Sequence, residues 1–292
     1  MAYPDHKSAT EIIDYIGDRI LFLSVSGGKD STAMALHLKD MGIPYKAIFI
    51  DTGWEHPSTI EYVKEYLPAH VGPIEIIQSK GFKKMLRDRA KFPNHFQRFC
   101  TGDLKLNPVA SFYRRQDSDV VNAVGIRAEE SRNRSKMPMW EDNAHMDCEV
   151  WRPIIHFKEQ DVINIHHKHG VTPNPLYLIG LPRVGCWPCI FSTKRAIRIM
   201  ARETPERIDE IRKLEREINL RRRARKPGSP LISFFNKGKG AMLIDDVVTW
   251  ATESQDDIEL FTNSDTESGC VKWGLCDIAH KHNAERKKGR LK

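Results

Sequence analysis

The sequence predicts an α/β protein with a doubly wound, mainly parallel sheet, followed by a helical, cysteine-containing C-terminal part. Between about residues 8 and 170, short apolar runs of strand length alternate with helical patterns, as they do in parallel sheets covered by helices. A glycine turn joins the first apolar run to the first helical pattern. Because such sheets bind ligands at the carboxyl ends of their strands, we expect the functional site there.

Each element has its own signal in the sequence. The strands are short runs of apolar and β-branched residues, and the helices repeat apolar residues every three or four positions. The expected strands are residues 20–25, 46–50, 73–77 and 120–124. The expected helices are residues 31–41, 57–67, 82–89, 106–115, 158–170 and 204–225, with a short one near 245–251. The polar segment that follows, residues 252–269, is expected to be a loop.

The turn after the first strand reads SGGKDS at residues 26–31. Two glycines let backbone N–H groups converge on a phosphate, and the dipole of the following helix adds positive potential. The side chains of Lys29, Ser26 and Ser31 add hydrogen-bond donors. The spacing is neither the GxxxxGK[ST] of P-loop proteins nor the GxGxxG of dinucleotide-binding folds. The turn predicts an anion site, and the plain alternative is an ordinary Gly-Gly turn.

Length and composition narrow the class of protein. The 292 residues allow one large domain or one with an appendage. We predict a sheet domain over residues 1–195, including a CxxC loop at 186–189, and a basic helical region over 196–292. No run is long enough to span a membrane and no signal-peptide pattern opens the chain, so we expect a cytoplasmic protein. Its six cysteines are then expected to be free, metal-bound or catalytic.

The positive charge of the chain is clustered. The formal net charge is +7, which fits nucleic-acid contact or an anionic small substrate. Two basic blocks occur, at residues 221–226 and 286–292, and together they favour a polyanionic partner such as DNA or RNA. The alternative for the first block is a solvated helix end whose arginines pair with Glu215 and Glu217.

The cysteines suggest a metal site without defining the metal. The CxxC loop places two thiols on one turn, a spacing that zinc sites, redox dithiols and iron–sulfur clusters all use. Cys100, Cys270 and Cys276 are the further candidate ligands. Cys148 lies between acidic and β-type residues and is interpreted as an incidental thiol.

Six motifs, read in order, carry a family resemblance. They are SGGKDS at 26–31, DTG at 51–53, CTGDLK at 100–105, GIRAEES at 125–131, WRPI at 151–154 and RVGCWPC at 183–189. The series resembles the phosphoadenosine-phosphosulfate (PAPS) reductase family of the N-type ATP pyrophosphatases, and most of all its subgroup of DNA-phosphorothioation enzymes and phage proteins. The resemblance covers roughly residues 15–195, with GLCD at 274–277 as a weaker tail match. It implies the adenine-nucleotide α-hydrolase-like (PP-loop) fold.

The resemblance also implies roles for individual residues. Lys29, Asp30 and Cys276 would be catalytic, with Asp30 either binding Mg²⁺ or fixing the loop. ATP, or alternatively PAPS or adenylylsulfate (APS), would be the adenine nucleotide. The implied nucleotide-binding residues are Ser24, Ser26, Gly27, Gly28, Lys29, Asp30, Ser31, Asp51, Thr52, Gly53, Arg127 and Arg132.

A [4Fe–4S] cluster is the cofactor that the resemblance implies. Adenylylsulfate reductases bind theirs through a CC…CxxC set, which corresponds here to Cys100, Cys186 and Cys189, with Cys276 or alternatively Cys270 as the fourth ligand. The second cysteine of the CC pair is Thr101 in this chain. Either a C-terminal cysteine supplies the fourth ligand, or one iron stays open and can carry sulfide.

Three functions remain open at this point. The first is an ATP-pyrophosphatase-type sulfurtransferase that activates an oxygen of a nucleic acid and delivers sulfur from an Fe–S site, supplied by a cysteine desulfurase. The second is a PAPS or APS reductase that produces sulfite with a thioredoxin-type donor, although the chain has no ECGLH-type tail. The third is a non-catalytic nucleotide-binding module with structural zinc.

Overall fold

The computed structural model describes residues 8–237, 240–253 and 273. Contacts divide the chain into two compact units, the first formed by Met1–Ser79 with Thr101–Asn174 and the second by Lys80–Cys100 with Pro175–Lys292. This division groups the CxxC loop with the second unit. The domain boundary that the sequence places at residue 195 stays a prediction.

The first unit contains a six-stranded sheet. Its strands are β1 (Ile20–Val25), β2 (Lys46–Asp51), β3 (Ile74–Gln78), β4 (Val120–Val124), β5 (Trp140–Asn143) and β6 (Cys148–Trp151). Their spatial order is β3-β2-β1-β4-β6-β5. All neighbours pair in parallel except β5, which runs antiparallel to β6 at the edge. The predicted doubly wound, mainly parallel sheet is confirmed, and the β5–β6 hairpin adds two strands that the sequence analysis did not identify.

The helices follow in chain order. They are α1 (Ala9–Ile16), α2 (Lys29–Asp40), α3 (Pro57–Glu61), α4 (Pro68–Val71), α5 (Phe82–Arg89), α6 (Phe99–Thr101), α7 (Asn107–Tyr113), α8 (Glu159–Lys168), α9 (Pro175–Leu178), α10 (Lys194–Glu203), α11 (Pro205–Arg225) and α12 (Ile244–Thr252). One π-helical turn links α3 to α4 and another links α6 to α7. Two short strands, β7 (Phe235–Lys237) and β8 (Gly240–Met242), form a hairpin.

Both faces of the sheet are covered by apolar side chains. On one face Leu23 and Ala123 of the central strands pack with Leu36 of α2 in a large buried cluster. On the other face Phe22 packs against Phe112 of α7, with ring centroids 5.2 Å apart. Burial on both sides explains why the central strands read as continuous apolar runs. This packing fixes the strand ends, from which the candidate site is built.

The second unit is organised around the long helix α11. The sequence predicts this helix from apolar residues that recur every three or four positions, and the four that form this apolar stripe are buried: Ile208, Ile211, Leu214 and Ile218. Glu215 is buried on the same helix, where its carboxylate accepts hydrogen bonds from the N–H groups of Phe234 and Ile244 at 2.9 Å. The predicted loop at 252–269 lies outside the described residues beyond Glu253. No helix in the described part of the chain is long and apolar enough to cross a membrane.

Candidate nucleotide site and cysteine segments

The candidate nucleotide site lies where the winding of the sheet changes direction. From β1 the chain proceeds to β2 and β3 on one side, and it then returns to place β4 on the other side of β1. The loops after β1 and β4 therefore diverge at this point, which forms a crevice at the carboxyl ends of the two strands. The SGGKDS turn follows β1, and the GIRAEES segment follows β4.

The SGGKDS turn is shaped by its two serines. Ser31 Oγ donates to the carbonyl of Gly28 at 3.1 Å, and the N–H of Ser26 donates to Ser31 Oγ at 3.0 Å. The N–H of Gly28 donates to Ser26 Oγ at 3.3 Å. Helix α2 starts directly after Gly28. Its first N–H groups and its dipole point to the crevice, the arrangement that binds phosphate.

Gly27 has a backbone conformation and surroundings that require glycine. Its φ is +71°, and a Cβ there would lie 2.9 Å from methyl groups of both Thr59 and Val63. The buried amide of Asn174 donates to the carbonyl of Gly27 at 3.1 Å and to Thr59 Oγ1 at 3.3 Å. Contacts of Gly27 with Thr59 of α3 and with Asn174 thus fix the conformation of the turn.

Gly125 brings the end of β4 into contact with the first turn of α2. A Cβ at this position would lie 2.8 Å from Ser31 Cα and 2.9 Å from the carbonyl oxygen of Asp30. Both contacts are with backbone atoms, which cannot rotate away. Only glycine lets the two segments approach this closely.

Asp30 lies in a network of charged side chains at the crevice. Arg127 is buried and donates to Asp30 at 2.5 Å and to Glu129 at 2.6 Å. Burial acts to lower the pKa of Arg127, but the charge and hydrogen bond of Asp30 outweigh burial and raise that pKa. The ammonium of Lys29 lies 3.6 Å from Asp30 and 3.6 Å from Glu159 of α8. Lys29 is therefore held at the crevice by two carboxylates.

The DTG segment after β2 forms a tight loop. Asp51 Oδ1 accepts the N–H of Gly53 at 2.8 Å, and the carboxylate of Glu55 accepts both the N–H and the hydroxyl of Thr52. Ser24, also predicted to bind the nucleotide, donates to Asn122 Oδ1 of β4 at 2.9 Å. These interactions fix the strand ends, and the nucleotide-binding roles of the residues stay predictions.

Two further arginines, Arg132 of the predicted nucleotide-binding residues and Arg152 of the WRPI segment, lie in different environments from Arg127. Arg132 is exposed, five residues after the buried Arg127. Arg152 is buried and donates to the carbonyl of Pro138 at 2.8 Å and to Glu141. Arg152 is therefore a structural residue of the β5–β6 hairpin.

The cysteine segments of the second unit are held by aromatic side chains. Trp187, inside the CxxC loop, is buried, and its indole N–H donates to Thr204 Oγ1 at 2.9 Å. Phe191, two residues after the loop, lies under the guanidinium of Arg98, 4.4 Å from the ring centroid. The same ring packs edge-on against His95 at 4.5 Å. These contacts bring the segment before Cys100 next to the CxxC loop.

The described residues do not complete a metal site. Cys100, Cys186 and Cys189 are half-buried, and no group of three or more His, Cys, Asp or Glu side chains in the described ranges is arranged to hold a metal ion. Cys270 and Cys276 lie outside the described residues. The four-cysteine ligand set therefore stays a prediction. Burial, with the charges of Asp147 and Glu149, raises the pKa of Cys148 to about 12, which agrees with its interpretation as an incidental thiol.

The first basic block lies at the exposed end of α11. Arg221 pairs with Glu217 at 2.9 Å, as one alternative expected, whereas Glu215 is buried and binds backbone N–H groups instead. Arg225 donates to the carbonyl of Asp88 at 3.1 Å. The second block, residues 286–292, lies outside the described residues.

Three residues of the crevice were absent from the residues predicted to form the site. Gly125 directly follows a strand, a signal that was available in the sequence. Asn174 and Glu159 are distant in sequence from the turn that they contact. No local pattern links them to it, so only the fold identifies them.

One family model and several known proteins match this chain. Residues 20–192 match the model described as phosphoadenosine phosphosulfate reductase domain. An uncharacterized 37.8 kDa protein of Escherichia phage 186 is 30% identical over 68% of this chain and 75% of its own length. Adenosine 5'-phosphosulfate reductase of Streptomyces coelicolor is 29% identical over 63% of this chain and 78% of its own length.

Phosphoadenylyl-sulfate reductase is among the solved structures that share the fold. Phosphoadenylyl-sulfate reductase of Candida auris, crystallised as a phosphate complex, superposes with a TM-score of 0.50 and 18% identity. The match covers 63% of this chain and 90% of the Candida chain.

Proposed function

This chain belongs to the phosphoadenosine phosphosulfate reductase family, whose model matches residues 20–192, and on that premise we propose that it is a nucleotide-dependent sulfur-transfer enzyme. Its nucleotide is ATP, bound at the SGGKDS turn. Its acceptor is a nucleic acid, as in DNA phosphorothioation. The observation that carries the proposal is that Gly125, after β4, packs directly against the backbone of Asp30 and Ser31 at the N-terminus of α2, which the SGGKDS turn precedes.

The crevice has the parts that a pyrophosphate-releasing reaction needs. Phosphoryl chemistry requires groups that are already oriented toward the developing negative charge. The N-terminus of α2 and the ammonium of Lys29 supply that positive potential. Asp30, paired with Arg127 at 2.5 Å, fixes the turn, and its Oδ2 atom is the candidate contact for Mg²⁺. The phosphates of a bound nucleotide would compete with Asp30 and Glu159 for Lys29.

The cysteine segments are assigned to the sulfur step. A [4Fe–4S] cluster, when bound, would hold and donate sulfide. Cys100, Cys186 and Cys189 would be its ligands, with Cys276 or Cys270 as the fourth. The described residues alone do not form such a site. A cysteine desulfurase would supply the sulfur as a persulfide, and a thioredoxin-type dithiol would provide the two electrons that reduce it to sulfide.

Release of pyrophosphate tests the nucleotide half of the proposal. We expect pyrophosphate from ATP when protein, sulfide and nucleic acid are combined, and none with Lys29→Ala. Lys29→Ala should still fold, because the residue lies at the crevice rather than in the apolar core. Sulfite formed from PAPS or APS without ATP cleavage would favour the second candidate, a sulfonucleotide reductase, which the similarity to the Streptomyces enzyme supports.

Metal analysis tests the sulfur half. Protein purified without oxygen should contain iron and acid-labile sulfide, and Cys186→Ser or Cys189→Ser should lose both, with a loss of stability. Cys148→Ser is the matched control and should keep them. Stoichiometric zinc without sulfide would reject the cluster and favour the non-catalytic module.

A further inference from the structure

The second unit exposes an aromatic side chain among cations, and the proposed nucleotide chemistry does not use it. Phe96 is 98% exposed within residues 89–98, which we name the basic–aromatic loop. Arg89, His95 and Arg98 of this loop are exposed as well. The sequence has no Asp or Glu from residue 89 to residue 102. A π-face and positive charge therefore share one surface.

The turn that presents Phe96 is held by hydrogen bonds. Asn94 Oδ1 accepts the N–H of Phe96 at 2.9 Å and the N–H of Gln97 at 2.8 Å. Lys91 donates to the side chain of Gln97 across the base of the turn. Phe92, on the arm before it, is buried. An ordered turn reduces the entropy that a ligand must overcome to fix the Phe96 ring.

The base of the loop adjoins the arginine block of α11. Arg87 of α5 pairs with Glu217 at 2.9 Å, and Arg225 donates to the carbonyl of Asp88 at 3.1 Å. These contacts place the end of α11 beside residue 89, where the loop begins. From residue 218 to residue 244 the sequence again has no Asp or Glu. The loop and the block therefore meet at Asp88 and Glu217, and the sequence beyond that junction is cationic on both sides.

The same loop contacts the segment that follows the CxxC motif. Arg98 lies over the ring of Phe191 and His95 packs against its edge. Phe191 is two residues from Cys189. A ligand on the loop would therefore lie beside the cysteine segment.

We propose that Phe96 is a stacking platform for an unpaired base of DNA or RNA, whose phosphates are bound by the arginines of the loop and of α11. This inference rests on the proposed function, because it names the form in which the acceptor binds. Every base presents a π-face, but a duplex hides it, so stacking on Phe96 selects single strands or unpaired bases. The described residues of the loop expose no other large apolar side chain. A membrane-binding surface would bury several such side chains, so the observations favour nucleic acid.

Fluorescence anisotropy with the full-length protein tests the platform. The probes are a labelled single strand of about 20 nucleotides, as DNA and as RNA, and the matching blunt duplex. Wild type should prefer the single strand, and Phe96→Ala should weaken that binding roughly 5-fold or more. Phe96→Trp should restore it. Leu231→Ala, which removes another exposed apolar side chain of the same unit, is the matched control and should bind as wild type.

Salt dependence separates stacking from charge. Phe96→Ala should leave the slope of log affinity against log salt unchanged, whereas Arg225→Gln should reduce it by about one unit. Equal binding of duplex and single strand, or wild-type binding by Phe96→Ala, would overturn the platform. So would Phe96-dependent binding to anionic lipid vesicles without any single-strand preference.

Pyrophosphate release from ATP is measured on the same variants. It distinguishes a failure of the stacking platform from a failure of the proposed function. An active protein without single-strand preference refutes only the platform. Phe96-dependent binding by a protein that releases no pyrophosphate refutes only the proposed nucleotide chemistry.

Discussion

The crevice of the first unit and the cysteine segments of the second are built in opposite ways. In the crevice, backbone segments approach as closely as glycine allows, and the buried cations Lys29 and Arg127 pair with carboxylates that are partly exposed. The cysteine segments carry half-buried thiols, aromatic anchors and exposed arginines. The difference is that backbone contacts fix the shape of the crevice, whereas side-chain contacts around exposed arginines shape the cysteine segments.

Gly125→Ala should give the largest effect, because it separates the two halves of the crevice. The added methyl group would meet backbone atoms at 2.8–2.9 Å, so we expect a loss of about 3 kcal/mol in unfolding free energy. ATP affinity should fall at least about tenfold, which is about 1.4 kcal/mol. Urea unfolding and calorimetric titration measure both. Gly102→Ala, where a Cβ would meet nothing within 4 Å, is the control. Unchanged ATP binding by Gly125→Ala would show that the close approach is not required.

Lowering the pH should reduce the folding stability of the first unit more than that of the second. His166 of α8 is buried, which lowers its pKa to about 4 from 6.5, and burial lowers the pKa of His37 as well. The unfolded chain then binds protons first as pH falls below 6.5. The contribution of neutral His166 to the free energy of unfolding is fully present at pH 7. It falls by about 2 kcal/mol by pH 5 and continues to fall until His166 itself is protonated near pH 4.

The pKa of Glu215 in the second unit shifts upward, opposite to that of His166. Burial raises its pKa, so its folded form binds a proton more readily and the second unit gains stability as pH falls toward 4.5. Hydrogen exchange between pH 7 and 5 should show protection lost first in α2 and α8. His166→Gln should flatten that slope, and His167→Gln, on the exposed side of α8, should not. If α11 lost hydrogen-exchange protection as much as α2 and α8 do, the predicted difference between the two units would be contradicted.

Glu159→Gln should give the smallest effect. The change removes one of the two carboxylates that hold Lys29 at 3.6 Å and leaves the ammonium more available to phosphate. Because Glu159 is partly exposed, the gain in ATP affinity should be only about 2- to 3-fold. Calorimetric titration detects it. Glu75→Gln, an equal charge change on an exposed position of β3, controls for net charge, and a matching gain there would refute the role of Glu159.

Local patterns predicted the central architecture well. The apolar runs of β1, β2 and β4 and the stripe on α11 are strong signals because each element is buried along its whole length. The β5–β6 hairpin was missed because its strands have four residues each and polar side chains such as those of Glu141, Asp142 and Asn143. Short edge strands owe their conformation to pairing rather than to their own sequence.

The site was predictable only in part. The SGGKDS turn is a local motif, so sequence identified it. The pairing of Asp30 with Arg127, and the supports supplied by Asn174 and Glu159, join residues about 100 or more positions apart. Such partners are chosen by the fold, and a single sequence carries no signal for them.

Titration of ATP and of PAPS against the wild-type protein and Lys29→Ala is the most direct test of the central claim, that the crevice is built for the triphosphate of ATP. We predict that wild type binds ATP at least as tightly as PAPS, and that Lys29→Ala weakens ATP binding while its unfolding midpoint in urea stays the same. Tight binding of PAPS with no binding of ATP would contradict the claim and make the protein a sulfonucleotide reductase.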